Sequence, residues 1–153
     1  MRLGVSLAMA ALLLIACGDT TPTPTPDPRS SAGYRRAAHD RANALAIAVT
    51  VAYGACTRDP GRPCADALAR QRALAAPPAR WLRATSPPPT CAALFAGYLD
   101  VVAHADAFYD DSLAAASGDD PAVTQRVLAE RYGRFTDRQS AVRGTRQGDG
   151  CTE

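Results

Sequence analysis

The segment TCAALFAGYLDVVAHADAFYDDSLAAASGDDPAVTQRVLAERYGRFTDRQSAV, residues 90–142, carries the pattern that decides the fold. Cys91, Leu94, Phe95, Tyr98, Val101, Val102, Ala105, Phe108, Tyr109 and Leu113 recur every three or four residues. That spacing predicts one long helix with a single apolar face. Thr90 is a candidate N-cap, and the helix is expected to run to about Ser117. Gly118 suits a helix stop, and Asp119-Asp120-Pro121 offers a cap followed by a proline in the next first turn. The second helix is expected over roughly 121–142, with Val123, Val127, Leu128, Tyr132, Phe135 and Val142 facing inward. Together these elements read as a tight αα-hairpin.

Upstream, two further helices are predicted. Residues 32–55 place Tyr34, Ala38, Leu45, Ala48, Val49 and Ala52 on one face, although Val49-Thr50-Val51 also reads as strand. Thr57-Arg58-Asp59-Pro60-Gly61-Arg62-Pro63 is loop chemistry. A helix starting near Pro63 or Cys64 sets Ala67, Leu68, Gln71, Leu74 and Ala75 along one side. Pro77-Pro78 is expected to break or kink it, leaving Trp81 and Leu82 in a short following turn. Ser86-Pro87-Pro88-Pro89 then reads as a linker, with a prolyl ligand as the weaker alternative. The fold class expected is all-α: a small up-down-up-down four-helix bundle.

Composition agrees with one domain. The chain has 153 residues, 47% of them hydrophobic but only 6% aromatic, so small side chains dominate the apolar set. All basic residues are arginine, and the net charge is +2. A near-neutral chain lacks the general field that nucleic-acid binding needs, and no nucleic-acid partner is expected. Charge is nevertheless patterned. Asp100, Asp106, Asp110 and Asp111 lie on the third helix, and Arg126, Arg131, Arg134 and Arg138 on the fourth. These read as solvated faces with a few weak ion pairs, or as an arginine-lined surface for an acidic partner.

The N-terminal residues hold the most specific motif. Arg2 precedes an almost unbroken apolar run, Leu3 to Ala16, that ends in Leu14-Ile15-Ala16-Cys17. The run is shorter than the roughly 20 residues that span a bilayer, as in a secretory signal. The tetrapeptide resembles the lipobox of bacterial lipoproteins. That resemblance implies a signal peptide over residues 1–16, with diacylglycerol and palmitate-type acyl chains on Cys17. Asp19-Thr20-Thr21-Pro22-Thr23-Pro24-Thr25-Pro26-Asp27-Pro28 follows, a tract expected to form an extended polyproline spacer reaching about 30 Å. The organisation expected is therefore a signal peptide (1–16), a lipidated cysteine with its tether (17–31), and a helical domain (32–153). Gly18, not an aspartate, follows Cys17; in a Gram-negative envelope the resemblance then implies the outer membrane. The domain would stand on the periplasmic or extracellular side.

Apart from Cys17 there are four cysteines, Cys56, Cys64, Cys91 and Cys151. An even number in an exported chain argues for two disulfides. In an up-down-up-down bundle Cys56 and Cys64 lie at one end and Cys91 and Cys151 at the other. Only the pairing Cys56–Cys64 with Cys91–Cys151 fits that topology, because bridged Cα atoms lie within about 7 Å. A zinc site is the rival reading, disfavoured by the lack of a CxxC pair.

Catalytic signatures are missing: there is no GxSxG, HExxH or glycine-rich phosphate loop. The histidines are His39 and His104, and Asp100 lies four residues before His104. His39, Asp100 and His104 are the candidate metal ligands if the bundle core carries an ion. No cofactor is expected. The leading expectation is a non-enzymatic envelope lipoprotein, bound to the membrane through Cys17, whose bundle engages an envelope protein or polymer. A ligand or metal carrier is the alternative. Tyr53, Trp81, Tyr98, Tyr109 and Tyr132 are candidate contact aromatics, although their helical spacing favours core packing.

Overall fold

The computed structural model describes residues 27, 29–118, 120–145 and 151. Cys17 and nearly all of the expected signal and tether lie outside the described residues. Four helices follow one another: α1 (Ser31–Arg58), α2 (Arg62–Ala84), α3 (Ala92–Ala116) and α4 (Pro121–Thr145). A single 3-10 turn, Pro89–Cys91, leads into α3. No strand occurs among the described residues, and the Val49-Thr50-Val51 segment is helix. The α-only, up-down-up-down bundle is thus the observed architecture.

Local chemistry sets each helix end. Ser30 caps α1, its Oγ accepting a hydrogen bond from the Gly33 amide at 3.0 Å. Asp27 folds back over this cap, its carbonyl accepting from the Ser30 amide and hydroxyl at 3.0 and 2.8 Å. A Cβ at position 33 would stand 1.9 Å from that carbonyl oxygen, so the cap requires glycine there. Asp120 caps α4, its carboxylate accepting from the amides of Ala122 and Val123 at 2.9 and 3.3 Å. The buried Thr124 hydroxyl donates to the carbonyl of Ala115 at 2.9 Å, tying the start of α4 to the end of α3. Thr90, expected to cap α3, sits in the 3-10 turn instead. Its hydroxyl meets that of Ser31 at 2.8 Å and joins the start of α3 to the start of α1.

Helix α2 departs most from expectation. It passes through Pro77 and Pro78 without ending, and Trp81 and Leu82 belong to the same helix. The prolines withdraw the N–H groups that would pair with the carbonyls of Ala73 and Leu74. Both of those residues are exposed, so water can satisfy the abandoned acceptors. Past the prolines, the helix gains burial of Pro78, Ala79 and Leu82 and sets Trp81 against Tyr34, ring centroids 6.2 Å apart. The inward face is Cys64, Ala67, Leu68, Ala75, Pro78, Ala79 and Leu82. Leu74 was expected on it but is 65% exposed, because it lies about 100° around the helix from Ala75.

The core centres on α3, which buries Leu94, Tyr98, Val101, Val102, Ala105, Phe108 and Tyr109. Helix α1 contributes Tyr34, Leu45 and Val49 and is otherwise lined by alanine, which lets it approach α3 across the short diagonal of the bundle. Helices α2 and α4 occupy the outer corners and do not touch among the described residues. From α4 come Leu128, Phe135 and Val142, spaced by seven along one line. Val123, expected inward, is 39% exposed, and Thr124 is buried in its place. A Cβ at Gly97 would meet Val142 Cγ2 at 2.8 Å, so this glycine permits the close approach of α3 and α4. Tyr53 of α1 and Tyr132 of α4 stack with centroids 4.0 Å apart.

Two disulfides close the bundle at opposite ends. Cys56–Cys64 has a Cα separation of 4.4 Å and Cys91–Cys151 one of 4.6 Å. The second bridge spans 60 residues and the first only 8. Loop-closure entropy then assigns about 4 kcal/mol to the long bridge and about 2.5 kcal/mol to the short one. Urea unfolding of Cys91→Ser/Cys151→Ser should accordingly show a larger stability loss than Cys56→Ser/Cys64→Ser. The reverse order would place the main constraint at the other end of the bundle. Pro77 is exposed in mid-helix, so Pro77→Ala should raise stability by about 1–2 kcal/mol, after allowing for the greater entropy of the unfolded chain. An unchanged or lower urea midpoint for this variant would mean that α2 is not a regular helix at this point.

Candidate binding clefts

Two charged clefts flank α3, and its aspartates divide between them. On the α2 side, Arg72 pairs with Asp110 and Arg83 with Asp106. On the α4 side, Arg131 Nε lies 2.5 Å from Asp111 and Arg138 Nε lies 3.5 Å from Asp100. Arg134 pairs within α4, with Glu130 at 2.6 Å. The simple picture of acidic α3 against basic α4 therefore covers only half of the pairs. All of these groups are substantially solvent-exposed, so each pair contributes on the order of 0–1 kcal/mol.

The α2–α3 cleft has a volume of about 370 Å3. Its lining includes Arg72, Arg80 and Arg83 of α2 and Asp106 and Tyr109 of α3. Leu45 of α1 and alanines of α2, among them Ala75 and Ala79, make the rest largely apolar. Arg80 makes no ion pair among the described residues. Tyr109 is 2% exposed, and its buried hydroxyl has no hydrogen-bond partner among the described residues. Burial pushes the Tyr109 phenol well above its ordinary range, because the phenolate would lose its hydration.

The α3–α4 cleft, about 350 Å3, is polar and lined by His104, Arg134, Asp137, Arg138 and Ala141. His104 Nδ1 stands 2.8 Å from the Asp100 carbonyl and 3.3 Å from its carboxylate. A carbonyl only accepts, so this contact places a proton on Nδ1. Asp100 thus lies between His104 and Arg138. His39 lies elsewhere, lining a narrow space of about 20 Å3 with Tyr98, Gln139, Val142 and Arg143.

The structure brings together two of the three metal candidates. Asp100 and His104 meet, as their spacing of four on one helix requires, but His39 opens on a different cleft. No group of three His, Cys, Asp or Glu side chains able to hold a metal ion occurs among the described residues. The four cysteines that a zinc site would need are bridged in pairs at opposite ends. Of the candidate aromatics, Tyr98 and Tyr109 are buried, while Tyr53, Trp81 and Tyr132 pack at the edge of the core. The arginine set of the α2–α3 cleft was missed in the sequence, because a break at Pro77-Pro78 separates Arg72 from Arg80 and Arg83. On an unbroken helix their spacings of eight and three place them on one side.

No protein-family model matches the chain, and comparison with curated proteins and with solved structures gives no match either.

Tyr34 supplies a pH test of the core. It is fully buried, its hydroxyl has no hydrogen-bond partner among the described residues, and burial pushes its phenol from 10.0 up to about 12, with a contribution from neighbouring Tyr98. The folded chain holds this proton more tightly than the unfolded chain. Its contribution is whole below pH 10 and is lost as the pH rises from 10 through 12. The phenolate absorbance that Tyr34→Phe removes should change together with helical circular dichroism in that window, and Tyr34→Phe should make the loss of stability shallower. That absorbance appearing near pH 10 with the helices intact would show that the Tyr34 hydroxyl reaches water.

Proposed function

We propose that this chain is a membrane-anchored envelope lipoprotein whose helical bundle is a non-enzymatic binding module for another envelope component. The observation that carries the reading is the pairing of Cys56 with Cys64 and Cys91 with Cys151. Structural disulfides form in oxidising compartments, beyond the inner membrane of a bacterium. The two bridges consume four of the five cysteines, which leaves Cys17 with no cysteine in the chain to pair with. A lone cysteine directly after Leu14-Ile15-Ala16 is the acceptor that lipoprotein processing uses.

The Thr-Pro tract after Cys17 suits a stiff spacer that would hold the bundle clear of the lipid headgroups. Gly18 in the position after the lipidated cysteine favours the outer membrane in a Gram-negative cell. The described residues of the bundle present paired surface charges and clefts, which suit a binding role. The partner is an envelope protein or polymer.

Mass spectrometry of the N-terminal peptide from the membrane fraction tests the anchor. The expected result is an N-terminal residue 17 carrying diacylglycerol, and a Cys17→Ser chain that retains residues 1–16. A Cys17→Ser chain cleaved at the same bond and released would show an ordinary secretory signal instead.

A further inference from the structure

We infer that the α2–α3 cleft is a binding site for a small organic monoanion: one carboxylate head on an apolar body. This rests on the reading of the bundle as a binding module and names the class of ligand it takes. Two features of the cleft lead there. First, its charges do not cancel. Arg72, Arg80 and Arg83 line the cleft with Asp106, and two of the arginines are engaged, Arg83 by Asp106 and Arg72 by Asp110 at its margin. Arg80 is left with an unmatched positive charge at the cleft wall, and a guanidinium is suited to a carboxylate through paired N–H donors. The surplus is one charge, and the two aspartates repel a head carrying more than one. The head expected is therefore a monoanion, not a phosphate dianion.

Second, the rest of the lining is apolar. Leu45, Ala75, Ala76, Ala79 and the ring-bearing Tyr109 offer no counterpart to a polar body. The volume of about 370 Å3 falls at the lower end of the roughly 300–1,000 Å3 typical of small-molecule sites. The alanines keep the cleft open where larger residues would fill it.

The cleft also depends on the continuity of α2. Arg72 precedes Pro77-Pro78 while Arg80 and Arg83 follow them, so the wall exists only because the helix does not break.

Decanoate is the probe, titrated calorimetrically into the mature chain from residue 17 with Cys17→Ser to keep it unlipidated. One decanoate per chain is expected, with acetate and decanol binding at least about tenfold more weakly, since each lacks one half of the ligand. Arg80→Ala should lower decanoate affinity about tenfold, a change of about 1.4 kcal/mol, without lowering the melting temperature. Arg126→Ala, on exposed α4 surface, should leave the affinity unchanged. Absence of saturable decanoate binding overturns the inference, as does decanoate binding unaffected by Arg80→Ala. Decanol binding as tightly as decanoate also overturns it, by showing an apolar cleft without head-group recognition. These outcomes are independent of the anchor. An acylated Cys17 with no decanoate binding removes the pocket alone, whereas decanoate binding with an unmodified Cys17 removes the anchor alone.

Discussion

Helix α3 is the wall on which the other three helices close, and the burial of its apolar side organises the molecule. It is the most apolar of the four helices and packs against α1, α2 and α4. Leu94, Tyr98, Val101, Val102, Phe108 and Tyr109 are each no more than 2% exposed. Burying one such side chain contributes about 1.5–3 kcal/mol, so this face accounts for a large share of the favourable terms. The partners supply little bulk of their own. Helix α1 offers mostly alanine, and α4 offers the single line of Leu128, Phe135 and Val142. Small partners allow α1 to pack across the diagonal, and the same arrangement pushes α2 and α4 apart.

That separation gives the surface its chemistry. With α2 and α4 on opposite sides of α3, the aspartates of α3 face arginines on both flanks, and each flank forms its own cleft. The α4 side is polar and internally matched, with Asp100 between His104 and Arg138. The α2 side retains an apolar lining and the surplus charge of Arg80. The disulfides then act at the two ends of a thin core. Cys91 and Cys151 lie 3.9 and 3.8 Å from the Ser31 carbonyl, so the long bridge gathers the starts of α1 and α3 and the chain beyond α4.

Much of this was legible in residues 90–142. The face of α3, the Asp120-Pro121 start of α4 and the bridge pairing all follow from periodicity, capping chemistry and the alternation of helix directions. The differences share a cause: tertiary burial overrides what local pattern and propensity favour. Pro77-Pro78 breaks an isolated helix, yet the burial of Pro78, Ala79 and Leu82 beyond it holds α2 together. Leu74 is apolar but sits on the outer side, and the isosteric but polar Thr124 is buried in place of Val123 because its hydroxyl donates to the end of α3. The ionic site was less legible than the fold. Asp100 and His104 share a helix, so their spacing sufficed; Arg72, Arg80 and Arg83 join Tyr109 only through the packing of α2 on α3, which periodicity does not encode.

The alternation of four helices around α3 is the claim on which the clefts, the bridges and the proposed role all depend, and the cysteine pairing tests it directly. Cys56, Cys64, Cys91 and Cys151 fall on separate tryptic peptides, residues 42–58, 59–70, 84–126 and 147–153. Mass spectrometry of a non-reduced digest should find 42–58 joined to 59–70 and 84–126 joined to 147–153. A peptide joining Cys64 to Cys91 would put both ends of α2 side by side and would contradict the bundle.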